Sequence, residues 1–151
     1  MKTFTPLSAL LEGISEKLYA AFDKGTIVYP ESVTAGIKRD LKRPCFFIKP
    51  LKPSNTIERD RTYVRDNPYC IHYYPKNINN PVQECYRILD SLYIALEYIE
   101  VNGNPVRGTG MHGEIHDEIL LFYVSYNIRV RKIYDVILME YLEMIEFRTK
   151  Q

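Results

Sequence analysis

Apolar and polar positions along this chain follow two periods, and the period changes where proline, glycine and asparagine cluster. Leu7, Leu10, Leu11, Ile14, Leu18, Ala21 and Phe22 recur at helical spacing, which predicts a helix over Pro6–Phe22. Thr5 is placed to cap it, Pro6 suits the first helical position, and Gly25 follows as a C-cap. A second helix is predicted from Pro81, with Asn80 and Gln83 in capping-box positions. Its apolar residues fall in two adjacent stripes: Val82, Tyr86, Leu89, Tyr93 and Leu96, then Cys85, Ile88, Leu92, Ala95 and Ile99. A face that wide exceeds the need of a simple surface helix. One side is expected on a sheet, the other on the first helix or a neighbouring subunit.

Between and after the helices the period shortens. Ile27–Tyr29 reads as a short strand stopped by Pro30, and residues 31–43 as a loop or frayed helix with a basic end. Cys45–Ile48 is an apolar run, as in a strand covered on both faces. Pro50 and Pro53 place that strand at an edge or a bend. Asn55–Ile57 continues it, Arg59-Asp60-Arg61 makes a charged turn, and Thr62–Tyr74 returns as a strand interrupted near Asn67-Pro68. The expected object is a long, kinked hairpin. After a turn at Asn102–Pro105, Val106–Asp117 reads as a glycine-broken strand. Leu120, Phe122, Val124, Tyr126, Ile128 and Val130 then alternate with Leu121, Tyr123, Ser125, Asn127, Arg129 and Arg131, which sorts them onto two faces of one strand. Ile133–Phe147 carries eleven apolar residues in fifteen, fits either a helix or an extended arm, and needs cover from its own core or from a partner. The expectation is one α+β domain over residues 1–132, with a C-terminal segment, 133–151, packed on it or on a neighbouring subunit.

Composition narrows the function. Lys plus Arg is 20 against 19 for Asp plus Glu, so no global field draws nucleic acid or an anionic membrane. Thirteen Tyr and six Phe, with no Trp, suit strands and wet interfaces. Cys45, Cys70 and Cys85 sit among apolar residues without a Cys-x-x-Cys pair, and are expected as buried free thiols in a reducing compartment. The first residues lack the apolar core of a signal peptide, and no apolar run reaches the ~18 residues of a membrane span.

Chemistry has few footholds. His112, Glu114 and His116 point the same way on a strand, and two imidazoles with a carboxylate suit zinc or iron. Against this, one local cluster without a distant fourth ligand also describes a solvated strand face. Gly103 and Gly108 have phosphate-loop spacing, but Thr109-Gly110 follows where the loop's lysine belongs. Cys70 and His72 share a face without a group to orient the histidine, so no nucleophilic site is expected. Basic residues at 38–43 and at Arg59, Arg61 and Arg65 are interleaved with Asp40, Glu58, Asp60 and Asp66, the pattern of an exposed surface. No cofactor and no catalytic residue is expected.

Several phrases, in order, carry a resemblance. They are Pro44-Cys45-Phe46-Phe47-Ile48, Ile71-His72-Tyr73-Tyr74-Pro75, Glu84-Cys85-Tyr86 with Leu96-Glu97-Tyr98-Ile99, Arg107–Asp117, and Leu121–Asn127. Over roughly Pro6–Val130 the chain resembles the tail terminator (tail completion) proteins of phages, prophages and phage-tail-like particles of Gram-positive bacteria; the C-terminal segment departs most. The resemblance implies a mostly antiparallel sheet with helices on one face, and a structural protein rather than an enzyme. It implies a hexameric ring that caps the tail tube, meets the sheath in contractile tails or tailocins, and joins the head connector. DNA would be passing cargo only, and assembly would take place in the bacterial cytoplasm. Under that reading the interface residues are expected at the hairpin tip (Asn55, Arg59, Arg61), in the glycine loop (Arg107, Thr109, Met111) and on the C-terminal arm (Tyr141, Met144, Phe147), with Arg59, Arg61 or Arg107 available to line a channel. The alternatives are a head–tail connector or stopper, a metal-dependent enzyme using His112, Glu114 and His116, and a single-strand nucleic-acid binder.

Overall fold

The structure is a computed structural model that describes residues 7–22, 25–30 and 42–131. The expected cap at Thr5, the basic residues Lys38 and Arg39, and the whole segment 133–151 lie outside the described residues. The elements run α1 (Leu7–Ala21), β1 (Ile27–Pro30), β2 (Cys45–Pro50), β3 (Ser54–Arg59), β4 (Thr62–Tyr74), α2 (Pro81–Ala95), β5 (Tyr98–Val101), β6 (Asn104–His116) and β7 (Ile119–Arg131). The fold is α+β, as the sequence predicts: a seven-stranded sheet in the order β1-β2-β4-β7-β6-β5, with β3 also paired to β4. All neighbours are antiparallel except β1 with β2.

The alternation along β7 decides where the core lies. Leu120, Phe122, Val124 and Tyr126 are buried and face the helices, beside Tyr73, Ile71, Tyr69 and Asn67 of β4. Leu10, Ile14 and Leu18 of α1, Cys85 and Leu92 of α2, and Leu96 just beyond it close over them. Each such aliphatic side chain, taken fully out of water, contributes about 1.5–3 kcal/mol. The α1 helix lies so close to β5 that a Cβ on Gly13 would stand 2.7 Å from the Glu100 carbonyl oxygen.

Three local expectations change. Strand β4 runs unbroken through Pro68, which pairs with Ser125. The Pro68 carbonyl accepts the Leu51 N–H at 2.9 Å, so its missing N–H falls on the side where the chain crosses from β2 to β3 and no ladder bond is lost. Strand β2 is not an edge: it is flanked by β1 and β4, and its prolines mark its end. Finally, the Asn80 side chain does not cap α2; it donates to the Gln83 side chain at 2.8 Å. The expected double cover of β2 is present, since Cys45, Phe46, Phe47 and Ile48 are all buried.

Candidate functional site

The candidate metal set sits on the sheet face opposite the helices. There His112, Glu114 and His116 stand across from Tyr123, Leu121 and Ile119, and all three are exposed. They do not converge. The His112 ring stacks on Tyr123 with centroids 4.7 Å apart, and its Nδ1 is 2.9 Å from the Gly110 carbonyl oxygen. Tyr123 donates its hydroxyl to Glu114 at 3.1 Å, and His116 Nε2 lies 3.4 Å from the same carboxylate. Burial, then the neighbouring Cys70 and Glu114, push the Tyr123 phenol up to about 12, so it stays a donor. The geometry is that of a self-satisfied polar row. Among the described residues no group of three His, Cys, Asp or Glu is placed to hold a metal ion.

The expected glycine loop is instead a single strand with a bulge. Thr109 faces Ser125 and His112 faces Tyr123, so Gly110 and Met111 together oppose Val124. Gly110 takes φ +61, the left-handed conformation that such a bulge requires and glycine supplies. The kink turns Met111 toward the core, where it packs against the buried cluster, and leaves Arg107 and Thr109 exposed. Thr109 donates to the Ser125 carbonyl at 3.1 Å.

The hairpin tip is a three-stranded ribbon. Strand β3 is exposed throughout, β4 lies beside it, and β7 closes the other side, with Thr62 paired to both Arg59 and Arg131. Asn55 and Arg59 are exposed, and Arg61 is half-buried in the turn. Arg59, Arg61 and Arg131 line an open depression of about 360 Å³ with Asp60 as its carboxylate. The sequence places Arg131 on one face of β7 but does not group it with Arg59 and Arg61, because only the β4–β7 register brings it here. Arg129 is paired to Glu58 at 3.0 Å.

The two apolar stripes of α2 have different fates. Cys85 and Leu92 are buried and Ile88 packs against the core. In the other stripe Val82, Tyr86 and Tyr93 remain 43%, 58% and 37% exposed, while Leu96 is buried and Leu89 packs against the core. The Tyr93 ring meets Phe122 edge-on at 5.6 Å. The helix therefore shows an apolar row to solvent, continued by the exposed Ile78.

One further residue escaped the sequence reading. Glu84, in the first turn of α2, is 9% exposed. Its carboxylate accepts the Tyr73 hydroxyl at 2.7 Å, the Lys76 N–H at 2.7 Å and the Asn77 N–H at 3.0 Å. Burial by itself would raise its pKa. Those three donors and the Arg87 charge outweigh burial and hold it below the usual carboxylate value. The signal was an acid in a helix first turn after a Pro-initiated start, but its use of loop N–H groups depends on the fold.

Comparison with known proteins bears on these surfaces. No curated protein matches the sequence. One solved structure covers 86% of this chain and 98% of its own length at 12% identity and a TM-score of 0.43, too distant to carry an argument. Among the described residues no helix is long and apolar enough to cross a membrane. A family model described as phage tail terminator protein matches residues 9–136, which takes in α2, strands β1 to β7 and all but the first two residues of α1. This chain therefore belongs to the phage tail terminator family and is a structural protein of a phage tail.

Proposed function

We propose that this protein assembles as a ring of copies, six in number, that seats on the end of the tail tube and stops further addition of tube subunits. The mechanism is steric: the ring matches the tube end on one face and offers no site for another tube ring on the other. The opposite face is the surface toward the head connector, and in a contractile tail the rim meets the last sheath ring. No bond is made or broken, and the residues act by shape and by burial.

The observation that carries the reading is the exposed row Val82, Tyr86 and Tyr93 on α2, a helix whose other side is core, with the exposed Ile78 in the segment just before it. A contiguous apolar row of this kind is a mark of protein association, and tyrosine is enriched where one end of a side chain is dry and the other wet. The ribbon tip (Asn55, Arg59, Arg61) and the bulged strand (Arg107, Thr109) are the proposed contacts with tube or neighbour, with Tyr141, Met144 and Phe147 of the C-terminal segment as a third. Met111, packed at the core edge, would act there by holding the bulge. In a particle that carries DNA, Arg59, Arg61 and Arg107 supply sequence-independent attraction to passing phosphates.

Size-exclusion chromatography with light scattering tests the ring. A mass several-fold that of the chain, held on dilution into the micromolar range, is the expected result. A strict monomer at high concentration, alone and with tube protein, overturns it.

A further inference from the structure

We propose that the outer edge of β1 adds to the open edge of β6 in a neighbouring copy, so that one sheet runs from copy to copy; this rests on the ring reading above. The two edges lie on opposite sides of the sheet and are open over matching lengths. Strand β5 pairs only with Asn104–Arg107, and the bulge at Gly110 and Met111 follows, which leaves Gly113–His116 of β6 without an outer strand. Strand β1 has four residues, Ile27–Pro30, and pairs only with β2. Among the described residues no backbone hydrogen bond crosses either edge. The Tyr19 hydroxyl lies 3.5 Å from the Val28 carbonyl, an oxygen with two lone pairs. Strand edges of this kind recruit another strand.

Three alignments select a second copy as the occupant. The edges lie on the same rungs: Val28, Phe46, Tyr73, Leu120 and Ile115 form one row across the sheet, and Pro30, Ile48, Ile71, Phe122 and Gly113 another. A copy set beside the first, with no shift along the strands, therefore brings Val28 against Ile115 and Pro30 against Gly113. The bonding groups match as well. The Ile27 N–H goes to the Pro44 carbonyl at 3.4 Å, on the β2 side, so Val28 and Pro30 direct theirs outward. The two-residue turn Asp117-Glu118 closes on the His116–Ile119 pair, so His116, Glu114 and His112 bond to β7 while Ile115 and Gly113 direct theirs outward. Val28 and Ile115 then exchange two bonds, and Gly113 donates to the Pro30 carbonyl; proline, lacking an N–H, ends the ladder. Direction and face agree too. β1 and β6 run oppositely within the sheet, so copies in the same orientation meet antiparallel, with Val28 and Ile115 both on the helix face. The exposed α2 row borders this edge, since Leu89 of the same stripe packs on Gly113, where an added Cβ would stand 2.6 Å from it. A contact between unlike edges is heterologous, propagates head to tail, and closes into a ring when its rotation allows.

Disulfide trapping in assembled protein tests the pairing. Tyr29→Cys and Glu114→Cys are made in separate chains, which are mixed and oxidised. The proposed register sets these positions opposite each other in a non-hydrogen-bonded pair, roughly 4.5 Å between Cα atoms and within disulfide reach. The three natural cysteines are buried and do not compete. The mixture should give a disulfide-linked dimer, neither variant alone should, and a chain with both changes should give a ladder. Hydrogen exchange of the wild type supplies a readout that needs no substitution. The Val28, Gly113 and Ile115 amides should exchange at least about tenfold more slowly in rings than in dilute subunits, one hydrogen bond each. The Glu114 amide, bonded to β7 in both states, should change little. Wild-type rings that leave those three amides unslowed, or rings of the cysteine variants that lack the disulfide, overturn the edge pairing while leaving the ring intact. A dimer from either variant alone reveals a two-fold contact and also overturns it. Slowing that appears only when tube protein is added overturns the choice of partner. Absence of any wild-type ring by light scattering removes both readings.

Discussion

Glu84→Gln should destabilise the fold by about 2–3 kcal/mol at neutral pH, without touching any proposed contact surface. The carboxylate holds three donors at 2.7, 2.7 and 3.0 Å in a site 9% exposed. A glutamine keeps one acceptor oxygen and turns an NH₂ toward at least one of those donors. One buried donor then goes unpaired, at roughly 1–3 kcal/mol, and the remaining bonds lose their charge assistance. For a chain of this size 2 kcal/mol corresponds to roughly 4–8 °C in melting temperature. The pH dependence has a definite sign. Because the folded-state pKa is depressed, the stabilisation is complete above the unfolded value, near about 4.3, and is lost as pH falls through the folded value. The gap between wild type and Glu84→Gln should therefore narrow as pH drops below about 4.3. Denaturant titration at fixed protein concentration, at neutral pH and at low pH, measures both, since assembly makes stability concentration-dependent. A Glu84→Gln midpoint equal to wild type at neutral pH, or a gap that widens in acid, would refute the reasoning.

Other outcomes follow from the same packing. Gly108→Ala should cost roughly 1–3 kcal/mol, since its Cβ would stand 2.7 Å from the Leu96 carbonyl oxygen and 2.9 Å from Val124, whereas Gly25→Ala, with open space around it, should change the melting temperature little. Burial raises the pKa of all three cysteines, Cys45 to about 11, so the native protein should react with a disulfide reagent at pH 8 far more slowly than the guanidinium-unfolded chain; equal rates would contradict the burial. Val82→Lys on the exposed row of α2 should leave the unfolding free energy of the isolated subunit within about 0.5 kcal/mol of wild type while lowering ring yield in light scattering. Replacing His112 and His116 together with alanine should alter neither the melting temperature by more than about 2 °C nor the response to chelator, because both side chains are exposed and engaged only in local surface contacts.

Much of the fold is written in periodicity. The α1 and α2 stripes and the alternation of β7 locate the core, because a residue's face in a helix or strand is set by its spacing alone. The both-sided burial of Cys45–Ile48 was equally legible as an unbroken apolar run. What was not legible depended on partners remote in sequence. Pro68 reads as a strand breaker until β2 and β3 are seen to leave a gap beside it. Gly110 reads as a loop until the β7 register turns it into a bulge. Arg131 joins Arg59 and Arg61 only through the β4–β7 pairing, and Glu84 finds its donors only when the loop after β4 folds over α2. The histidine strand is the reverse case. Spacing put His112, Glu114 and His116 on one face, correctly, but Tyr123 from β7 takes the ring and the carboxylate that a metal would need.

The capping claim is tested most directly by adding the purified protein to tail tube subunits during polymerisation and viewing the products by electron microscopy. The account predicts tubes that stop lengthening as the protein is titrated in, with a ring of density at one end. Tubes that grow to the same lengths with bare ends, while this protein stays monomeric in solution, would contradict it.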